Sequence, residues 1–323
     1  MSRVSRGRLA GGLRLALSCA ARGEGPGPAE PGATTAAPDS SRGSQRRGLG
    51  LQVRLSGDTS LPRRVEDRDD GARLSVWSLQ AGVELSASPL PALRLNANLG
   101  AERALYEWSD PRGLGSPELS AGGDPWSEVQ VLSAGGGLQA FLGRSWSLAL
   151  RGSLELGVEP GAELEDALSG GGGVTVGYGV SQGLSLGLGV FATSRLEDSP
   201  LVIPSLFVRW QLHERVLLET FGPGLRLSWR ASEPLTLSTR VGFAFRQWRL
   251  EERRAFVPGG IVNDARGEVA LGLAWQVGPL SLTGEVGLVA WQELTVRDAR
   301  GELVRRLRSD PTAVFGLRLE LRW

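Results

Sequence analysis

From about residue 49 to the last residue, the chain alternates apolar and polar side chains with a period of two. In SWSLALRGSLELGVE (145–159), Trp146, Leu148, Leu150, Leu154, Leu156 and Val158 share one parity, and Ser147, Arg151, Ser153, Glu155 and Gly157 the other. A period of two puts successive side chains on opposite faces of a β-strand, whereas a helix needs 3.6. The pattern recurs in LRLNANLGAE, in Leu184–Leu186–Leu188–Val190, in Val269–Leu271–Leu273–Trp275–Val277 and in the closing FGLRLELRW. About fourteen such segments are readable, near 49–57, 74–88, 92–108, 128–142, 145–159, 171–181, 184–194, 200–212, 215–221, 223–231, 235–252, 264–277, 280–297 and 312–323. The first, and the short pair around FGPG at 221–224, are the weakest, so twelve is the alternative count.

Composition narrows the class further. Glycine fills 46 of 323 positions, roughly twice its usual ~7% share, and interior glycine costs a helix ~1 kcal/mol. No apolar run approaches the ~18 residues that a membrane-crossing helix requires. Net charge is +1, so charge balance implies neither a nucleic-acid nor an acidic partner. Every basic side chain among the 36 Lys+Arg is arginine, a bias expected from a GC-rich genome.

The first residues read differently. Arg3, Arg6 and Arg8 precede a short Leu/Ala stretch that ends in small residues, the order of a secretory signal. We expect a signal peptide over 1–21 and a Gly/Pro/Ser/Arg-rich disordered linker over 22–47. The single cysteine, Cys19, excludes a disulfide framework. Lipidation of Cys19 is an alternative, although Ala16 stands where the lipidation pattern has leucine.

The connections alternate in length. Tight joints at 88–91, 143–145, 182–183, 213–214, 232–234 and 278–279 face longer charged connections at 58–73, 109–127, 160–170, 253–263 and 298–311, although two later ones on that side, 195–199 and 222, are short. Tight joints make hairpins, so the chain reads as an up-and-down meander with two unlike rims. Closing the sheet removes its edges. A soluble sandwich or propeller would have to bury the apolar stripe of every strand in one core. A transmembrane antiparallel β-barrel turns that stripe to lipid and the polar parity to the lumen. About ten residues at ~3.3 Å, tilted ~40°, span the ~25 Å apolar band of such barrels. Trp146, Trp210, Trp229, Trp275 and Trp323 lie on the apolar parity beside tight joints or at the C-terminus. That is the place of membrane-interface aromatics. The other five tryptophans cluster toward the long-loop rim with poorer parity.

The ending, with Phe315, Leu317, Leu319, Leu321 and a terminal Trp323, resembles the C-terminal signature of bacterial outer-membrane β-barrels. That family more often ends in phenylalanine. The resemblance covers roughly 48–323 and is nearest to uncharacterised barrels known as domains of unknown function. It implies an outer-membrane location, lipid as surroundings, and recognition of the last strand by the barrel-assembly machinery. With an even strand number, both termini and the tight joints fall on the periplasmic side.

Candidate chemistry is sparse. His213, the only histidine, falls in a tight joint rather than beside a deep carboxylate or serine, which disfavours an enzyme. DRDDG at 67–71 resembles half of a calcium loop, but Ser78 stands where the closing glutamate belongs. No catalytic residue, metal site, cofactor or nucleic-acid partner is expected. GGGG at 170–173 reads as strand glycine that gives room to bulky neighbours, and RRLR at 305–308 as a solvated basic outer loop. Pro204, inside a strand, requires a bulge or locally broken pairing. The polar parity supplies a lumen set of Glu84, Arg94, Glu102, Arg151, Glu155, Arg209, Arg226, Arg240, Arg246, Glu285, Arg318 and Glu320. Arginine exceeds glutamate, so any ion preference leans to anions. The expected function is a passive pore or transport-type channel for small solutes. The alternative is a plugged structural barrel acting through its outer loops.

Overall fold

The computed structural model describes residues 48–66, 72–114, 124–196, 198–253 and 256–323. The expected signal peptide, linker and Cys19, and the DRDDG segment, lie outside the described residues.

The described residues form sixteen strands: β1 (Leu49–Ser60), β2 (Arg63–Glu66), β3 (Ala72–Leu90), β4 (Leu93–Ser109), β5 (Glu128–Leu142), β6 (Trp146–Val158), β7 (Leu168–Gly179) and β8 (Leu184–Arg195), followed by β9 (Asp198–His213), β10 (Val216–Phe221), β11 (Gly224–Arg230), β12 (Leu235–Arg249), β13 (Ile261–Val277), β14 (Leu280–Arg297), β15 (Leu303–Ser309) and β16 (Thr312–Arg322). Fourteen of them make one antiparallel meander that closes where β1 pairs with β16, from Gln52↔Arg322 to Ser60↔Val314. The other two, β2 and β15, were expected to be loop. They extend the wall above the barrel at its long-loop end, hereafter the outer rim.

The alternation settles which face is wet. Leu188 is 70% exposed, Leu99 65% and Leu206 61%, and the same parity runs exposed around the barrel. An aqueous surface does not carry a continuous apolar belt of that extent, and a soluble sandwich would have covered it. The chain is a membrane-spanning β-barrel of the outer-membrane type.

The wall is uneven in height. β3 has 19 residues and β14 has 18, whereas β10 has 6 and β11 has 7. Beyond the β10–β11 turn, β12 leaves the wall and crosses to β6. The two pair in parallel at Arg249↔Val158, and the Glu159 N–H donates to the Arg249 carbonyl at 2.8 Å. β14 pairs with β15, β15 with β2, and β2 with β3. The outer end is therefore a second closed ring of nine staves: β2, β3, β4, β5, β6, β12, β13, β14 and β15. RRLR belongs to this ring rather than to a loop, because Leu307 is fully buried in it. Arg306 and Arg308 meet Glu293 on the neighbouring β14 at 3.2 and 3.4 Å.

Space on the inner face is set by glycine. Gly135, Gly137, Gly171, Gly173, Gly177, Gly187 and Gly189 share the inward parity of β5, β7 and β8. A Cβ on Gly173 would stand 2.8 Å from the Phe191 ring and 2.9 Å from the Val190 carbonyl oxygen. The ring can turn aside, but the backbone oxygen cannot. We therefore expect Gly173→Ala to destabilise the barrel by about 1–3 kcal/mol. The check is a lower urea midpoint for unfolding in lipid vesicles, with Gly284→Ala, whose Cβ would meet nothing within 4 Å, close to wild type.

Candidate functional site

The lumen is built in three levels. The nine-stave ring is near the size at which side chains fill a barrel, and they do. Trp126, between β4 and β5, is fully buried at its centre, with ring centroids of Trp108 at 5.1 Å, Trp248 at 5.9 Å, Tyr106 at 6.0 Å and Phe256 at 6.5 Å. The Trp108 indole N–H donates to the Trp126 carbonyl at 2.9 Å. Val65, Leu74, Leu114, Leu250, Val262, Leu294 and Val296 complete this apolar cap. Trp108, Trp126 and Trp248 are thus core residues, while Trp77 and Trp291 stand exposed on the outer face. The register shift between Gly267 and Glu268, opposite β14, accounts for the broken parity near Trp291.

Below the cap lies a charged level. Arg246 on β12 makes an ion pair with Glu102 on β4, across the lumen. Arg240 bridges Glu268 on one side and Glu285, at 3.1 Å, on the other, and Arg54 holds Glu320 at 3.1 Å. Glu84, Glu102, Glu155, Arg240, Arg246 and Arg318 border a cavity of about 290 Å³ here.

The third level, toward the tight-turn rim, is hollow. A cavity of about 1000 Å³ reaches from Gly222 and Pro223 at the β10–β11 turn down to Leu51, Pro91 and Trp323 at that rim. Its floor is the glycine surface of β5, β7 and β8. One row across the sheet reads Gly137↔Arg151, Arg151↔Gly173, Gly173↔Phe191 and Phe191↔Ile203. Arg94 and Arg151 enter this cavity, with the Arg94 guanidinium 5.2 Å from the Phe141 ring centroid. Arg151 makes no hydrogen bond or ion pair among the described residues. Arg209 and Arg226 both reach Glu219, at 3.5 and 3.3 Å, and Arg226 lies 4.1 Å over the Phe221 ring. The two cavities share Gln52, Glu84, Asn98, Gly222 and Pro223.

Sequence reasoning missed Arg54, Glu219, Arg266 and Glu268, although each stands on a polar parity. It also missed Phe191, Ile203 and Phe207, which the alternation turns inward opposite the exposed leucines. Trp146, Trp210, Trp229, Trp275 and Trp323 sit exposed at strand ends along the tight-turn rim. Trp323 is gripped by β1, its N–H donating to the Leu51 carbonyl at 2.9 Å and its carbonyl accepting from the Leu51 N–H at 3.2 Å. Phe315, Leu317 and Leu319 are exposed on the outer face of the last strand, and Leu321 is half-buried beside them. His213 ends β9 in a tight turn, with its Nδ1 3.4 Å from the Arg215 N–H. Among the described residues no cluster of three His, Cys, Asp or Glu could hold a metal ion.

No family model matches the sequence, and no curated protein matches it. Solved structures of similar outline include an outer membrane channel from Pseudomonas putida F1, at 11% identity and a TM-score of 0.49, covering 91% of this chain and 99% of that one. The P. putida toluene transporter TodX aligns at 10% identity and a TM-score of 0.44, covering 85% and 89%. The translocator domain of the autotransporter NalP from Neisseria meningitidis aligns at 14% identity and 0.36, covering 86% and 90%.

Proposed function

We propose that the protein is a passive outer-membrane channel for small solutes, gated at its outer end by the aromatic cap. The cavity of about 1000 Å³ supports this reading most directly. A barrel built only as a scaffold gains nothing from a surface of inward glycines that hollows its wall. The rim tryptophans anchor the barrel in the lipid interface, and the last strand is its assembly signal. Arg94 and Arg151 give the wide level a positive character, so anions are favoured over cations.

The cap itself favours a second reading, a plugged barrel that works through its outer surface. Proteoliposome swelling separates the two. Vesicles carrying the protein are expected to swell in an isotonic pentose and not in a trisaccharide. Swelling no faster than in protein-free vesicles, for wild type and for a variant with the cap opened, would leave the plugged barrel as the answer.

A further inference from the structure

The wall has a gap. β9 pairs with β8 along its length, but on its other edge its pairing with β10 stops at Arg209↔Glu219. Thr220 extends that contact slightly, accepting from the Val208 N–H at 2.8 Å and lying 3.4 Å from the Leu206 carbonyl. Above Leu206, no strand lies against that edge among the described residues. On the opposite side β12 leaves β11 after Gly242 and regains a partner only at Arg249. The opening is bounded below by the β10–β11 turn. Above, it closes where the Leu196 N–H donates to Gln247 Oε1 at 3.1 Å. Two strands are absent from this stretch, so its base spans about three strand spacings, or ~14 Å.

The sequence holds the gap open. Pro204 lies two residues before Leu206 and in the same phase, so it turns a position without an N–H toward the free edge. Pro200 lacks the donor as well. Such an edge cannot recruit a further strand, which is how exposed edges are protected. The broken pairing that Pro204 requires is this gap.

Outside, the gap is framed by Val202, Leu206, Leu225 and Phe243, all exposed in the apolar belt. Inside, it gives onto Phe191, Ile203 and Phe207, with Arg151 two strands further along the same row. An apolar path from lipid thus ends at Arg151, which pairs with no carboxylate among the described residues.

We propose that this gap is a lateral portal through which small amphipathic anions, an apolar body carrying one carboxylate, pass between the membrane and the lumen. The apolar part lies against Phe191 and Ile203, and the carboxylate meets Arg151. This rests on the channel reading above and names its substrate class and its entrance.

The test uses a ten-carbon carboxylate carrying a diazirine, photolysed with the full-length protein in lipid vesicles and mapped by mass spectrometry. Ser205→Cys and Ala244→Cys place a thiol on either side of the gap, and a glutathione mixed disulfide then fills it reversibly. We expect labels on Phe191 and Ile203 in the free protein, reduced to background by the adduct and restored by reductant. Labels on outward-facing Leu188 stay constant throughout, which reports an intact barrel. Lumen labelling that survives the adduct would mean entry through the tight-turn rim and would overturn the portal. A lumen that is never labelled would overturn the substrate class, while pentose swelling would still stand. Arg151→Gln should lower lumen labelling by the carboxylate roughly ten-fold, the loss of one charged contact. It should leave the methyl ester unchanged, and an equal loss for both would overturn the anion assignment.

Discussion

An assembled barrel is expected to give a compact, fast-migrating band on SDS gels when unheated, and deletion of Trp323 is expected to abolish it. Trp323→Phe should retain it. Thermodynamics alone cannot produce so large an effect. The deletion removes a reciprocal pair of backbone hydrogen bonds to Leu51, and each contributes only about 0.5–1.5 kcal/mol net. It also removes one side chain that is already 62% exposed, so little packing is lost. If the terminal aromatic instead guides assembly, the loss is kinetic and near complete in cells. Trp275→Ala is the control, since Trp275 shares the rim and is similarly exposed but is not terminal. Trp275→Ala should keep most of the folded band. Equal behaviour of the two variants would reduce Trp323 to an interface anchor. Refolding the purified deletion variant into vesicles adds a second check, because there it should still reach the compact form.

The second large effect concerns the cap. Replacing Trp126 with alanine removes the ring at the centre of five aromatics and leaves a cavity, at about 3–5 kcal/mol for a buried tryptophan. If opening the outer end means unpacking that cluster, even ~3 kcal/mol shifts the closed-to-open ratio by about a hundred-fold. Planar-bilayer recordings should therefore show rare, brief openings for wild type and a mostly open Trp126→Ala channel. Trp248→Ala should act in the same direction, and Arg246→Gln should add to it by breaking the cross-lumen pair with Glu102. Wild-type and Trp126→Ala traces that are equally silent would show that the cap is not a gate. Heat-modifiable migration of each variant confirms that the wall is intact.

The outer wall was legible because lipid imposes one rule on every strand. With water excluded, each outward side chain is apolar and each neighbour faces the lumen, so a period of two survives over fourteen segments. The lumen obeys no such rule. Its inward positions hold arginine on one side and glycine or phenylalanine on the other, and only pairing across the sheet shows that Arg151, Gly173, Phe191 and Ile203 form a row. The cap was harder still. Trp108, Trp126 and Trp248 follow the statistics of interface aromatics, and nothing local tells a girdle from a plug. Pro204 announced a fault in the wall, but nothing local to it showed that β10 and β11 stop short beside it.

The nine-stave ring has a consequence for the order of events in folding. Its staves come from both ends of the sequence, and the contacts that seal it join residues far apart, as in Arg246 with Glu102 or Arg305 with the Leu114 carbonyl. Such closures are the slow ones, since long loops must be ordered before any contact forms. The parallel junction of β6 with β12 cannot form until the five strands between them have been laid down and have bowed outward. We therefore expect the barrel to form first as an open-mouthed tube, with sealing as a separate, later step. A protease added from the outside during refolding should cleave at Trp126 and Phe256 before that step and lose both sites after it, because both are buried in the sealed cap.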